Sequence, residues 1–207
     1  MTTEPLLPDS IIVVSGLPRS GTSMMMRMLE AGGIEVVSDA NRPADADNPR
    51  GYFEYEAVKR LRTDAAWLSQ ALGKAIKVIS FLLRDLPPSY SYKVIFMMRD
   101  LEEVLASQRA MLQRRVDAGM ADAASIAEDR LIEEDERLRV LYTRHLNQTR
   151  QWMKKQPHFS AVEVDHRDAL RSPEETASQL EDFLGRCLDR ESMINAVDPT
   201  LYRQRNV

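Results

Sequence analysis

The chain has 207 residues, 43% hydrophobic and 29% charged, which is the composition of an ordinary globular protein. This length suits one core, so we predict a single domain over 1–207, with 1–9 and 203–207 as candidate flexible ends. A net charge of −4 does not indicate a nucleic-acid partner, and no apolar run approaches the ~18 residues of a membrane-spanning helix.

The cysteine count and the N-terminus bear on location. A single cysteine excludes an internal disulfide, and Met1–Pro5 lacks the basic start of a signal peptide. Together they predict a cytoplasmic protein.

Hydrophobic periodicity predicts alternating strands and helices. The predicted strands lie near 11–15, 34–38, 75–80, 93–98 and 161–165, and the predicted helices near 22–32, 54–72, 101–118, 123–155 and 173–185. Such alternation predicts an α/β fold, in which a parallel sheet is flanked by helices.

The turn between the first strand and the first helix is the strongest functional signal. Gly16–Ser23 follows a buried strand and opens onto a helix, so its backbone N–H groups and the helix dipole form a cradle for an anion. The glycine spacing is that of an ATP-binding P-loop, but Thr22 stands where that motif needs lysine. The only cation in the turn is Arg19. An ordinary ATPase site is therefore disfavoured.

A second signal begins where the strand near 93–98 ends. Arg99 follows the strand, Asp100 is suited to cap the next helix, and Glu103 is placed as its capping-box partner. Ser107 lies eight residues after Arg99, two turns along, on the same face of the helix. An arginine fork and a hydroxyl suit a phosphate dianion.

Both segments resemble the sulfotransferase family. Pro18–Ser23 matches, at all six positions, its loop for a 5′-phosphosulfate: proline, lysine or arginine, serine or threonine, glycine, threonine, then serine or threonine. The arginine form is most similar to Golgi tyrosylprotein sulfotransferases and many bacterial members. Arg99 and Ser107 resemble the family's 3′-phosphate site. Asp165–Leu170 resembles a stretch that usually reads R-Y-E-D-L.

The resemblance implies a P-loop-containing nucleoside triphosphate hydrolase-like fold. It also implies sulfuryl transfer from 3′-phosphoadenosine-5′-phosphosulfate (PAPS) to a hydroxyl or amine of a small-molecule acceptor, leaving adenosine 3′,5′-bisphosphate (PAP). The residues implied to bind the cofactor are Pro18, Arg19, Ser20, Gly21, Thr22, Ser23, Arg99 and Ser107. The C-terminal segment that closes the 3′-phosphate site in many members is missing. Arg203 and Arg205 either fold over that phosphate or belong to a solvated tail.

Arg19 and Lys77 are the candidate catalytic cations. No metal is implied, because the leaving phosphate is already a stable anion. Lys77 resembles the lysine of the family's K-T-H strand, or it ends an edge strand and reaches water. The catalytic histidine of that pattern is replaced by Ile79.

Another group must then act as the base, and Glu54 is our choice. It could equally be a carboxylate at a helix N-terminus. Glu56 and Asp47 are rival bases. The histidines are weaker candidates. His145 and His158 are expected at the surface. His166 matches the tyrosine of the R-Y-E-D-L pattern, which the resemblance places near the adenine.

The acceptor pocket is expected near the long loop between Ser38 and Phe53. Its predicted aromatic residues are Tyr52, Phe53, Tyr55 and Phe81. The long helix near 123–155 is a candidate pairing surface for a homodimer. Two other functions stay open from the sequence: a P-loop kinase or NTPase, and a nucleotide-binding module without catalysis.

Overall fold

The computed structural model describes residues 10–39, 51–122 and 128–198. The strands are β1 (Ser10–Gly16), β2 (Val36–Val37), β3 (Ala75–Lys77), β4 (Ser91–Met98) and β5 (Phe159–Asp165). The α-helices are α1 (Thr22–Ala31), α2 (Leu101–Asp117), α3 (Glu128–Met153), α4 (His166–Arg171), α5 (Pro173–Leu184) and α6 (Arg190–Ala196). Three 3₁₀ helices span Glu56–Arg60, Ala66–Ala71 and Ser80–Asp85.

The five strands form one parallel sheet in the order β2-β3-β1-β4-β5. The predicted α/β architecture is therefore confirmed. β1 is central, and its pairing with β4 sets Gly16 opposite Met97. Because the strands are parallel, their carboxyl ends meet at one edge, where open α/β sheets usually bind ligands.

Each face of the sheet carries its own hydrophobic cluster. On one face α1, α5 and α6 cover side chains such as Val14 and Ile95. On the other, α2, α3 and the 3₁₀ segments cover Val13, Ile76 and Phe96. Burial on both faces explains why residues 11–14 of β1 and 94–98 of β4 are continuously apolar in the sequence.

The predicted α-helix over 54–72 is wrong. The structure has two short 3₁₀ helices there, separated by a turn at Thr63 and Asp64. The Thr63 hydroxyl donates to the Arg60 carbonyl at 3.1 Å, and the Asp64 carboxylate accepts from the Ala66 N–H at 3.2 Å. These local bonds compete with the α-helical pattern.

Two further differences concern the ends of elements. β3 stops at Lys77, and the chain enters a 3₁₀ helix at Ser80 instead of continuing as a strand to residue 80. Helices α4 and α6 lie outside the predicted set; Asp165 and Asp189 cap their N-termini through side-chain oxygens. No helix in the described part of the chain combines the length and apolar character needed to cross a membrane.

Candidate cofactor and active site

The turn between β1 and α1 is built to bring the backbone close to a ligand. Gly16 has φ +151°, and a Cβ there would lie 2.4 Å from Ser20 Oγ and 2.7 Å from the Met97 carbonyl. The Ser20 hydroxyl donates to the Leu17 carbonyl at 2.7 Å, which closes the turn. The first N–H groups of α1 lack partners inside the helix, as at any helix start. They face the same turn.

Two residues of this turn adopt left-handed backbone conformations. Gly21, the residue before α1, has φ +95°, and Arg19 has φ +69°. Among the described residues, the only other non-glycine with positive φ is Phe53. Such strain in a non-glycine residue persists where the surrounding structure enforces it, and it is common at binding sites.

His166 forms the wall beside Gly21. A Cβ on Gly21 would meet the His166 Cδ2 atom at 2.4 Å, so the imidazole packs directly on the turn. Burial, assisted by Arg99 and Arg167, lowers the pKa of His166 to about 3. The ring is therefore neutral at physiological pH. It occupies space that a side chain at position 21 would need.

The two sequence motifs meet through Arg19. Its Nε donates to the Ser107 hydroxyl at 3.0 Å, and its carbonyl accepts from Arg99 at 3.0 Å. Ser107 lies 88 positions from Arg19 in the chain, and Arg99 lies 80 positions from it. The structure thus brings the anion cradle, the strand-end arginine and the helix serine into one hydrogen-bonded group.

A buried carboxylate lies behind Arg99. The side chain of Glu103 is 1% exposed and accepts from Arg99 Nε at 3.1 Å and from Arg167 at 2.8 Å. Both arginines line a cavity of about 510 Å³ at the carboxyl ends of β4 and β5. The predicted cap by Asp100 is confirmed, since its carboxylate accepts from the backbone N–H groups of Glu102 and Glu103. Neither Glu103 as an arginine partner nor Arg167 was singled out from the sequence.

Lys77 and Glu54 lie together on the other side of the turn. The Lys77 ammonium donates to the Tyr52 carbonyl and is 3.9 Å from the Glu54 carboxylate. The same Tyr52 carbonyl accepts from the Ser23 hydroxyl of α1 at 3.3 Å. β3 is an interior strand and the Lys77 side chain is 9% exposed, so the edge-strand alternative is wrong. Glu54 precedes the 3₁₀ helix and is outside any α-helix.

The remaining candidate residues are dispersed. Glu56 is exposed and pairs with Lys59 at 2.7 Å. Tyr55 packs edge-on against Trp67, whereas Phe53 packs against the cluster beneath α1. Tyr55 and Phe53 therefore pack against different hydrophobic clusters. Asp47, Arg203 and Arg205 lie outside the described residues.

The surface prediction for His145 is wrong. Its ring stacks on Phe81 with centroids 3.8 Å apart, and its Nε2 lies 2.9 Å from the Ser80 hydroxyl. Burial lowers its pKa. His158 is also half-buried, edge-on to Phe159. Such contacts cannot be predicted from a polar helical sequence, because they depend on which other element packs against the helix.

Gly21→Ala should destabilise the protein more than Gly33→Ala. Gly33 has a similar φ of +91° but nothing within 4 Å of its Cβ position, so alanine there adds only backbone strain of about 1 kcal/mol. Alanine at position 21 adds the overlap with His166, about 1–3 kcal/mol more. Urea unfolding of both variants measures the difference. Equal losses would show that His166 does not constrain the turn.

Glu103→Gln should lower the free energy of unfolding by about 3 kcal/mol, because it leaves two arginines beside a buried neutral group. Glu102→Gln is the matched control. Glu102 is next in the chain and pairs with Arg139, but both side chains are exposed, so its loss should cost less than about 1 kcal/mol. Denaturant titration of both variants tests this. Similar costs would contradict a structural role for the buried carboxylate.

Comparison with known proteins identifies a family for the chain. The family model described as a sulfotransferase domain matches residues 8–204. No curated protein matches the chain significantly.

Two solved structures share the fold. The sulfotransferase domain from the Synechococcus PCC 7002 olefin synthase aligns with a TM-score of 0.52 and 15% identity, covering 99% of this chain and 90% of that one. Sulfotransferase STF9 from Mycobacterium avium aligns with a TM-score of 0.56 and 12% identity, covering 98% of this chain and 70% of that one. The predicted P-loop-like fold is thereby confirmed. By the match over nearly its whole length, the chain belongs to the sulfotransferase domain family.

Proposed function

We propose that this protein transfers a sulfuryl group from PAPS to a hydroxyl or amine of a small-molecule acceptor. The observation that carries the proposal is the contact of Arg19 with both Ser107 and Arg99. A donor with phosphates on both sides of one ribose needs two adjacent anion sites, and this contact supports the proposal because it joins the residues predicted to form them. The lone cysteine supports a reducing, cytoplasmic setting as part of the proposal.

The residues of the turn fit the 5′ end of such a donor. At Gly16 and Gly21 a Cβ would overlap the atoms behind the turn, so glycine lets the backbone adopt its cradle shape. The N–H groups of Ser20 to Ser23 would hold the 5′-phosphate, aided by the α1 dipole. Pro18 sets the entry to this turn. On the 3′ side, Arg99 and Ser107 would hold the second phosphate.

When bound, the donor would supply a sulfuryl group on a phosphate that leaves as a stable anion. Arg19 and Lys77 are the cations that would stabilise negative charge developing on the transferring and bridging oxygens. Lys77 suits this role because its side chain is largely shielded from water and is anchored to the Tyr52 carbonyl. Ser23 shares that anchor, which fixes the lysine relative to the start of α1.

Glu54 is the proposed general base. An acceptor hydroxyl gives up its proton as its oxygen bonds to sulfur and the bond from sulfur to the bridging oxygen breaks. Glu54 is 35% exposed and 3.9 Å from Lys77, so it can be reached by an acceptor beside the transferring group. Glu56 is less suited, because it pairs with Lys59 on the exposed side.

The alternatives differ in the ligand they favour. A P-loop kinase or NTPase needs a lysine at position 22 and a carboxylate for magnesium, but Thr22 stands there and Asp100 caps α2. A binding module without catalysis would bind the bisphosphate and turn over none of a broad acceptor panel.

Calorimetric binding of PAP, ADP and ATP with magnesium tests the donor. We expect wild-type protein to bind PAP at least tenfold more tightly than the other two, and Arg99→Ala to reduce that preference. Arg109→Ala is the control, because Arg109 lies on α2 but pairs with Asp135 and is 45% exposed. It should bind as wild type does.

Tighter binding of ATP with magnesium, or unchanged PAP binding in Arg99→Ala, would contradict the proposed donor. PAP binding with no radiolabelled sulfate transferred from PAPS to phenols, alcohols or amines would instead favour the non-catalytic module.

A further inference from the structure

We propose that Arg167 is a further binding residue for the 3′-phosphate of the donor, forming with Arg99 a pair of arginines joined by Glu103. This inference rests on the proposed function. It assigns a second arginine to the phosphate site within the part of the chain that the structure describes.

The first support is the shared carboxylate. One oxygen of Glu103 accepts from Arg99 Nε at 3.1 Å, and the other accepts from Arg167 at 2.8 Å. The carboxylate is almost completely buried, so both guanidinium groups are held on the same side of α2. Two arginines on one glutamate leave a net positive charge, which favours an incoming phosphate.

The second support is the cavity that the two arginines line. It has a volume of about 510 Å³, and Arg99, which lines it, also donates to the Arg19 carbonyl of the anion cradle. The Arg167 side chain is 35% exposed, so a ligand in the cavity can reach it.

The acidic residues of the cavity oppose this charge only in part. Asp100, Asp165 and Asp168 also line the cavity, but all three are exposed, so solvent screens them, and a third arginine, Arg171, adds positive charge. Two of them, Asp100 and Asp165, accept hydrogen bonds from the first N–H groups of α2 and α4. The positive ends of those helices offset their charge.

The experiment compares binding of PAP with binding of AMP, which lacks only the 3′-phosphate. Arg167→Met should weaken PAP binding about tenfold or more, since a charge-assisted hydrogen bond is lost. Its affinity for AMP should stay within twofold of wild type. Arg167→Lys keeps the charge but loses the fork-shaped guanidinium, so its affinity for PAP should lie between those of wild type and Arg167→Met.

Arg186→Met is the matched control. Arg186 follows Gly185, which lies beside Lys93 at the start of β4, at the opposite edge of the sheet from the cavity. The control removes one positive charge without touching the site. It should leave PAP binding unchanged.

A double-mutant cycle separates direct contact from an effect through Arg99. If Arg167 contacts the phosphate, adding Arg167→Met to Arg99→Met should further reduce the preference for PAP over AMP. No further loss would overturn the proposal, because Arg167 would then act only by holding Glu103 and Arg99. Equal weakening of PAP and AMP in the single variant would also overturn it.

The two proposals fail in different ways. Wild-type protein that binds PAP no better than AMP would contradict the proposed donor and this inference with it. Wild-type protein that prefers PAP, with an unaffected Arg167→Met variant, would preserve the proposed function and reject only the role of Arg167.

Discussion

The hydrogen bond from Arg99 to the Arg19 carbonyl is the contact on which the site depends. It follows from the sheet: β1 pairs in parallel with β4 so that Gly16 lies opposite Met97, and Arg99 comes two residues later. A shift of one residue in that register would turn Arg99 to the other face. The buried apolar residues of these two strands therefore secure the register, and the register places the arginine.

The rest of the site is arranged around the same turn. Arg19 is held with positive φ while its side chain reaches Ser107. On one side His166 packs against Gly21; on the other, the Tyr52 carbonyl ties Lys77 to Ser23. These contacts fix the backbone before any ligand arrives, which lowers the ordering cost of binding.

The motif residues could be predicted because each motif is formed by residues that are neighbours in the chain. A strand, a glycine turn and a helix start are local features, and Gly16, Pro18 and Gly21 indicate such a turn. The positions of Arg99 at a strand end and Asp100 at a helix cap could also be predicted, because these two features are adjacent in the chain. The long helices and the central strands followed from their hydrophobic periodicity.

The features that the sequence could not reveal depend on packing between distant elements. Glu103 reads as a capping residue, yet its carboxylate pairs with an arginine 64 positions away. His145 reads as part of a polar helix face, yet it stacks on Phe81 from another segment. In the region predicted as one helix over 54–72, local hydrogen bonds at Thr63 and Asp64 outweighed the apolar periodicity.

A crystal structure of the protein with PAP tests the account most directly. The account predicts the 5′-phosphate on the backbone N–H groups of residues 20–23 and the 3′-phosphate against Arg99 and Ser107. A bisphosphate bound away from the β1–α1 turn would contradict it. So would one whose 3′-phosphate points away from Arg99.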